Sequence, residues 1–315
     1  MKLRGLYTYN IPETISKGID GVRLDRISEN PNQYRTYPER ENINFLIVRQ
    51  GVVDDILRYY PNVEWLQLLN SGFEKVNLDV LRSRGILFTN AKSVYCATIA
   101  EDVMAKILIL ARNYPVHYAN QIKSFWPDDS QLPNDNVDLC GKNIGILGAG
   151  YIGSEIAIRA RAFGLHVYGY DPYVKKKEGF EKIYYGEEGL AQLLATSDFV
   201  VTSLPVTNET ENIINHQTLS MMKSSAFLIN VARGEIIDED ALIGALKTGQ
   251  IRGAALDIVK SEPLPKSDPL WKTPNLVITP HRAAYGDQME NRMCALIERN
   301  IHHYLSGEEM ENRIL

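Results

Sequence analysis

Between residues 143 and 278 the chain alternates two kinds of segment, and this alternation restricts its fold more than any other feature. Short runs that are apolar from end to end predict strands over 143–147, 166–170, 199–204, 226–231, 253–258 and 276–278. Stretches that are apolar on one side predict helices over 153–163, 189–195, 216–222 and 239–247. A strand apolar on both faces needs cover on both faces. A parallel sheet with helices on each side supplies it, which is a doubly wound α/β fold.

The first 90 residues repeat the rhythm less regularly. Strands are expected at 45–48, 63–69 and 86–89, with a weaker one near 3–9. A helix over 78–84 stops at Gly85, a residue suited to a helix C-terminus. The rest of residues 1–40 carries no clear pattern. Residues 99–112 and 288–305 read as two long helices. Between them, 113–139 breaks the pattern with Pro115, Pro127, Pro133 and an acidic stretch. Long loops of that kind are functional or lie in interfaces. Phe125 and Trp126 make this arm a candidate dimer contact, or a surface loop with an anchoring aromatic. With 315 residues and roughly 150 per domain, two domains are expected.

Composition removes several functions. The net charge of -5 and pI near 5.8 provide no general attraction to nucleic acid or anionic lipid. The apolar stretch 104–111 is interrupted by Lys106 and falls far short of the ~20 residues a membrane span needs. No apolar segment near Met1 resembles a secretory signal. Cys96, Cys140 and Cys294 are odd in number and lack zinc-ligand spacing, so neither a disulfide framework nor a metal site is expected. Free thiols suit a reducing cytoplasm.

GAGYIG follows the first strand of the regular region and opens a helix. Gly148 permits a tight turn, Gly150 lets backbone approach a pyrophosphate, and Gly153 lets helix and strand pack closely. The helix N-terminus then offers N–H groups and the positive end of its dipole to phosphate. The next strand ends in Asp171, where a carboxylate accepts hydrogen bonds from ribose hydroxyls and repels a 2′-phosphate. A glycine-rich structural turn would not call for an acid there. Lys175, Lys176 and Lys177 are a counter-signal for the phosphate. A lysine run is more often a solvated face, so NAD is favoured over NADP.

Three charged or titratable residues lie just beyond carboxyl ends of strands, where open α/β sheets build their sites. They are Arg233 in NVARGE, Glu262 in KSEPLP and His281 in ITPHRAAY. Histidine suits proton donation near neutral pH. A nearby carboxylate orients the imidazole and stabilises its charged form. A guanidinium grips a carboxylate with two hydrogen bonds. Each residue alone also has a structural reading, as a loop cation, a solvated acid or a turn histidine.

Together these residues carry a resemblance. The segments GKNIGILGAGYIGSEIAIRARAFGLHVYGYDP, LPVTNETENIIN, LINVARGEIIDEDAL, GAALDIVKSEPLP and ITPH resemble the D-isomer-specific 2-hydroxyacid dehydrogenase family. TIAEDVMAKILILARN and NSGFEKVNLD extend the resemblance to about residues 45–300.

The resemblance implies a Rossmann NAD-binding domain (96–284) inserted in a flavodoxin-like substrate domain (1–95 and 285–315), with crossings near 91–99 and 283–288 and the active site in a cleft. It implies an NAD-dependent oxidoreductase acting on a 2-oxo acid/D-2-hydroxy acid pair. His281 would be the acid/base, Glu262 its partner, and Arg233 the ligand of the substrate carboxylate and carbonyl. Backbone N–H groups of Ser71, Gly72 and Phe73 would bind the same carboxylate. Tyr151, Ile152, Pro172, Pro205, Thr207, Val231 and Ala232 would line the cofactor, with Arg233 and His281 at its reactive end and Asp257 on the nicotinamide carboxamide. A homodimer through the NAD domain and the 113–139 arm is implied.

Some residues depart from the family pattern or divide its branches. Arg282 stands where a small or apolar residue is common, and could recruit a phosphate or second carboxylate. Tyr95 and Tyr285 match tyrosines of D-lactate dehydrogenase-like members, whereas Arg49 matches a basic position of phosphoglycerate dehydrogenase-like members. The substrate therefore stays open. Glu262 argues against formate oxidation, since formate dehydrogenase-like members carry glutamine there. A phosphite dehydrogenase-like enzyme and an NAD-sensing, corepressor-like regulator are the competing readings. The regulator finds no basic patch or long disordered tail in this sequence.

Overall fold

Strand formation follows the apolar runs in the computed structural model, which describes residues 3–9, 15, 18–128 and 136–315. The chain divides into two units, Met1–Tyr95 with Gly286–Leu315, and Cys96–Tyr285.

The first unit holds β1 (Leu3–Tyr7), β2 (Val22–Arg26), β3 (Phe45–Val48), β4 (Trp65–Leu68) and β5 (Leu87–Thr89). They form a parallel sheet in the order β2-β1-β3-β4-β5. Every residue of β3 and β4 is buried, as strands covered on both faces require. β2 was not legible in the sequence because it is an edge strand (VRLDR) whose charged residues break the apolar run. The helix Leu78–Ser83 starts where the Asn77 side chain accepts hydrogen bonds from Asp79 N and Val80 N. Gly85 follows it with φ 65°.

The helix Met289–Ser306 belongs to this unit. Its Met293, Leu296, Ile297 and Ile301 pack in one cluster with Phe45, Ile47 and Trp65. Fully burying each such aliphatic chain is worth about 1.5–3 kcal/mol. A buried polar chain fixes its register. Asn300 Nδ2 donates to Gln67 Oε1 at 2.8 Å, Thr89 Oγ1 donates to the same oxygen at 2.8 Å, and Trp65 Nε1 donates to Thr89 Oγ1 at 2.9 Å.

The second unit holds β6 (Asn143–Leu147), β7 (His166–Tyr170), β8 (Lys182–Tyr184), β9 (Phe199–Thr202), β10 (Phe227–Asn230), β11 (Gly253–Leu256) and β12 (Leu276–Ile278). Their order is β12-β11-β10-β9-β6-β7-β8, and all pairs are parallel. The chain runs one way from β6 and the other way from β9. Their adjacent carboxyl ends therefore form the switch point where such sheets bind ligands. β8 escaped the sequence reading because its three residues (KIY) begin with a lysine and leave no apolar run.

One expectation needs correction. Residues 113–139 are not irregular throughout, because Tyr114–Ile122 is a helix. Pro115 sits in its first turn, where a missing N–H costs nothing and the fixed φ suits the helix. None of its residues is buried, so the segment lacks the core-facing stripe that would have identified it. Pro133 and part of the acidic stretch lie outside the described residues. Among the described residues, no helix is long and apolar enough to cross a membrane.

Candidate active site

The glycine turn joins β6 to the helix Tyr151–Ala162. Gly148 has φ 105°, and a Cβ there would fall 2.9 Å from Ser203 O. A Cβ on Gly153 would fall 2.0 Å from Gly148 O, whereas one on Gly150 would meet nothing within 4 Å. The first and third glycines thus serve packing, and the second faces open space. Gly150 is the N-cap and makes no side-chain cap, so the first N–H groups of the helix are left for a ligand. Tyr151 and Ile152 form that first turn. Gly153→Ala should destabilise the protein by about 2 kcal/mol or more, because backbone must move. It should also weaken dinucleotide binding; thermal unfolding and NADH titration measure the two effects.

Asp171 follows β7 and is buried. Its Oδ2 accepts from Ala149 N at 3.0 Å. Its Oδ1 accepts from Tyr173 N at 2.9 Å and Val174 N at 3.0 Å. The carboxylate thus ties the glycine turn to the turn containing Pro172. The lysine run is not merely solvated. Lys177 Nζ donates to Ala149 O at 3.1 Å, and Lys175 Nζ lies 3.4 Å from the centroid of the Tyr185 ring. Pro205 and Thr207 lie in the loop after β9, where Thr210 Oγ1 donates to Pro205 O at 2.6 Å and accepts from Thr207 N at 2.7 Å.

Arg233, Glu262 and His281 lie in the segments beyond β10, β11 and β12, all at the carboxyl end of one sheet. Asn230, buried at the end of β10, shapes the turn that carries Arg233. Its Oδ1 accepts from Ala232 N at 3.0 Å and Thr202 Oγ1 at 2.7 Å. Its Nδ2 donates to Arg233 O at 3.0 Å. Val231 and Ala232 are buried, and Arg233 Nη1 donates to Ala232 O at 2.8 Å. A Cβ on Gly234 would fall 2.4 Å from Lys260 N. The Arg233 turn therefore touches the segment leading to Glu262.

His281 Nδ1 and Glu262 Oε2 are 2.7 Å apart. The other oxygen, Oε1, accepts from Val259 N at 3.3 Å. When Nδ1 donates to Glu262, the ring is fixed and Nε2 is left to exchange a proton with a ligand. Both side chains keep solvent access, 49% for His281 and 36% for Glu262, so a ligand can reach the ring.

The turn behind His281 is rigidly built. His281 has φ 53°, a left-handed conformation that costs a non-glycine residue about 1–3 kcal/mol unless its surroundings hold it. Asp257, buried just after β11, holds it. Asp257 O accepts from His281 N at 2.8 Å. Its Oδ1 accepts from Thr279 Oγ1 at 2.6 Å and Arg282 N at 2.9 Å. Its Oδ2 accepts from Ala283 N at 2.9 Å. The exposed Arg282 guanidinium lies 3.8 Å from the centroid of the exposed Tyr285 ring.

The remaining substrate-binding candidates belong to the first unit. Arg49 follows β3 and pairs with Glu29 at 3.7 Å. Ser71, Gly72 and Phe73 follow β4, where Ser71 O accepts from Asn90 Nδ2 at 2.6 Å and the Phe73 ring meets Phe88 edge-on. Tyr95 OH donates to Leu69 O at 2.6 Å.

Sequence reasoning overlooked Asn230, Thr202 and Thr279, and it passed over Lys106, buried on the helix Lys92–Ala111 beside Asp257. The available signal was polarity in the wrong place. Asn230 and Thr202 end otherwise apolar strands, and Lys106 interrupts an apolar helix. Among the described residues, no group of three or more His, Cys, Asp or Glu side chains is arranged to hold a metal ion.

Known proteins provide three comparisons beside a family model. The model for D-isomer specific 2-hydroxyacid dehydrogenase, NAD binding domain, matches residues 104–283. Glyoxylate/hydroxypyruvate reductase B of Pectobacterium carotovorum subsp. carotovorum (strain PC1) is 35% identical over 279 residues, 88% of this chain and 87% of that protein. D-3-phosphoglycerate dehydrogenase of Methanocaldococcus jannaschii is 32% identical over 278 residues, 86% of this chain, which spans about half (52%) of that relative's length. The structure of a D-isomer specific 2-hydroxyacid dehydrogenase from Xanthobacter autotrophicus Py2, in complex with NADPH and MES, matches with a TM-score of 0.82 at 25% identity, covering 100% of this chain and 98% of that one.

Proposed function

The chain belongs to the D-isomer specific 2-hydroxyacid dehydrogenase family, and from that premise we propose that it interconverts a small 2-oxo acid and its D-2-hydroxy acid. The observation that carries this reading is the 2.7 Å contact between His281 and Glu262 on the sheet edge that also bears the glycine turn.

The residues at the turn suit a nicotinamide dinucleotide. Gly150 leaves room for a pyrophosphate, the helix N-terminus is uncapped by any side chain, and Asp171 stands at the end of the next strand. Bound NAD(P)H supplies the hydride for reduction. His281 holds the proton that the developing alkoxide needs and releases it from Nε2, while Glu262 keeps the ring from turning. Arg233 takes the substrate carboxylate with two parallel hydrogen bonds and draws electron density from the adjacent carbonyl. Asp257 would reach the nicotinamide carboxamide with the acceptor capacity its turn leaves over. From the first unit, N–H groups of Ser71, Gly72 and Phe73 are the proposed further ligands of the carboxylate.

NAD is the proposed cofactor, on the strength of Asp171. The NADPH bound by the Xanthobacter relative and the Lys177 ammonium on the glycine turn make this preference one to measure. The wild type should show higher kcat/KM with NADH than with NADPH. Asp171→Ser should shift the ratio toward NADPH by roughly tenfold or more, since removing one like-charge contact with a 2′-phosphate is worth about 1.4 kcal/mol or more. Unchanged ratios would refute this role for Asp171.

Glyoxylate and hydroxypyruvate, after the Pectobacterium relative's name, are the first substrates to test. The Glu29 carboxylate beside Arg49 partly neutralises the cation that a phosphorylated substrate would use. The experiment is a panel of pyruvate, glyoxylate, hydroxypyruvate, phosphohydroxypyruvate, 2-oxobutyrate and bulkier oxo acids, each with NADH and NADPH. A preference for phosphohydroxypyruvate that vanished in Arg49→Ala or Arg282→Ala would move the assignment to a phosphorylated substrate. Exposed Tyr114, Tyr118, Ile122, Phe125 and Trp126 support a homodimer through this arm, and the three free thiols support a cytoplasmic setting.

A further inference from the structure

A lysine is buried behind the active-site turn. Lys106 lies on the helix Lys92–Ala111, and its side chain is 2% exposed. Its ammonium bonds the Asp102 carboxylate one turn earlier and lies 3.8 Å from Asp257 Oδ1. Asp257 is itself 1% exposed at the side chain. A buried ammonium is tolerated only when it is paired and hydrogen-bonded. Burial also pushes the Asp102 carboxyl above the usual range, against the pull of Lys106.

Asp257 is where this cluster meets the chemistry. It brackets His281 from both sides, with Thr279 Oγ1 before it and the Arg282 and Ala283 N–H groups after it. All three partners donate, so the side chain must present acceptors on both oxygens, which an ionised carboxylate does. Two carboxylates face each other across one cation, and among these groups only Lys106 supplies positive charge to Asp257.

We propose that Lys106 is a positioning residue for His281, acting through Asp257. By keeping that carboxylate in place, it holds the left-handed turn that aims the imidazole. The inference rests on His281 as the proton donor. The alternative is that Lys106 serves only to neutralise Asp102 inside the unit.

Three variants of the full-length protein separate these roles: Lys106→Met, Lys106→Arg, and the double change Asp102→Leu with Lys106→Met. The double change removes the close pair together, so a lysine that serves only Asp102 becomes dispensable in it. Measurements are thermal unfolding, kcat and KM for the preferred 2-oxo acid, NADH affinity, and hydrogen exchange over residues 279–285 without cofactor.

In the double variant, stability should recover relative to Lys106→Met, while kcat stays roughly 10- to 100-fold below wild type, the loss a displaced catalytic group brings. KM for the oxo acid should change little, and NADH affinity should fall by about tenfold or less, the worth of one hydrogen bond from the carboxamide to Asp257. The Arg282 and Ala283 amides should exchange faster in both methionine variants, and Lys106→Arg should recover part of kcat and of the protection. If Lys106→Met does not fold, the double and arginine variants carry the comparison. Wild-type kcat and wild-type protection in the double variant would overturn the proposal. If the wild type turns over no oxo acid, the function fails, yet hydrogen exchange still decides whether Lys106 holds the turn.

Discussion

His281→Asn lowers kcat for 2-oxo acid reduction by roughly 10²–10⁴, the usual worth of a positioned general acid, and leaves NADH binding essentially unchanged. The asparagine keeps a polar side chain on the left-handed turn and tolerates that backbone conformation better than most residues, so the fold should survive. What the change would remove is the proton that His281 is proposed to hold where the alkoxide forms. Glu262→Gln is the companion change. It preserves shape but offers an amide where His281 Nδ1 meets a carboxylate at 2.7 Å. It should therefore lower kcat less than loss of the ring. Steady-state kinetics with tryptophan-to-NADH energy transfer for binding measures both. Full turnover in His281→Asn would remove this residue from the mechanism.

Arg233 has the second largest expected effect. Hydrogen bonds to a charged group are worth about 1.5–3 kcal/mol each, and a guanidinium makes two to a carboxylate. Arg233→Ala should therefore cost about 3–5 kcal/mol in kcat/KM, or roughly 10²–10³-fold and above. Arg233→Lys keeps the charge but loses the fork, so it should recover only part of that. The same ordering should appear in the affinity of oxamate, an unreactive carboxylate with the shape of the substrate. Neither change should move thermal stability much, because the turn is held by Asn230 through backbone contacts. A few-fold effect on kcat/KM in Arg233→Ala would contradict its proposed role.

The parts of this protein that the sequence exposes are those in which one residue type repeats a physical requirement. The runs that became β9, β10 and β11 are buried from end to end, and β6 after its first residue, because both faces are covered. The glycines of GAGYIG are constrained by backbone approach, and Gly148 and Gly153 meet backbone atoms that admit no side chain. Arg233, Glu262 and His281 stood out because charge beyond the end of a buried strand needs a reason. The helix Tyr114–Ile122 stayed hidden because it buries nothing, and the strands β2 (VRLDR) and β8 (KIY) because charged residues interrupt or shorten their apolar runs.

The support behind the site was hidden for another reason. Asn230 and Asp257 act through hydrogen bonds to backbone, and backbone partners leave no mark in residue identity; Thr279 acts through the Asp257 carboxylate. Lys106 looked only like an interruption in an apolar stretch. Its meaning depends on Asp257, which lies 151 positions later in the sequence and 3.8 Å away in the fold.

The central claim is reduction of a 2-oxo acid to the D-hydroxy acid with proton delivery by His281. The most direct measurement is one incubation of the wild-type protein with NADH and a prochiral oxo acid such as pyruvate or hydroxypyruvate, followed by chiral chromatography of the product. The account predicts a D-2-hydroxy acid formed mole for mole with NADH consumed, and formed at least about 100-fold more slowly in the His281→Asn control. The L-isomer, a racemate, or NADH binding without consumption of any oxo acid would contradict it.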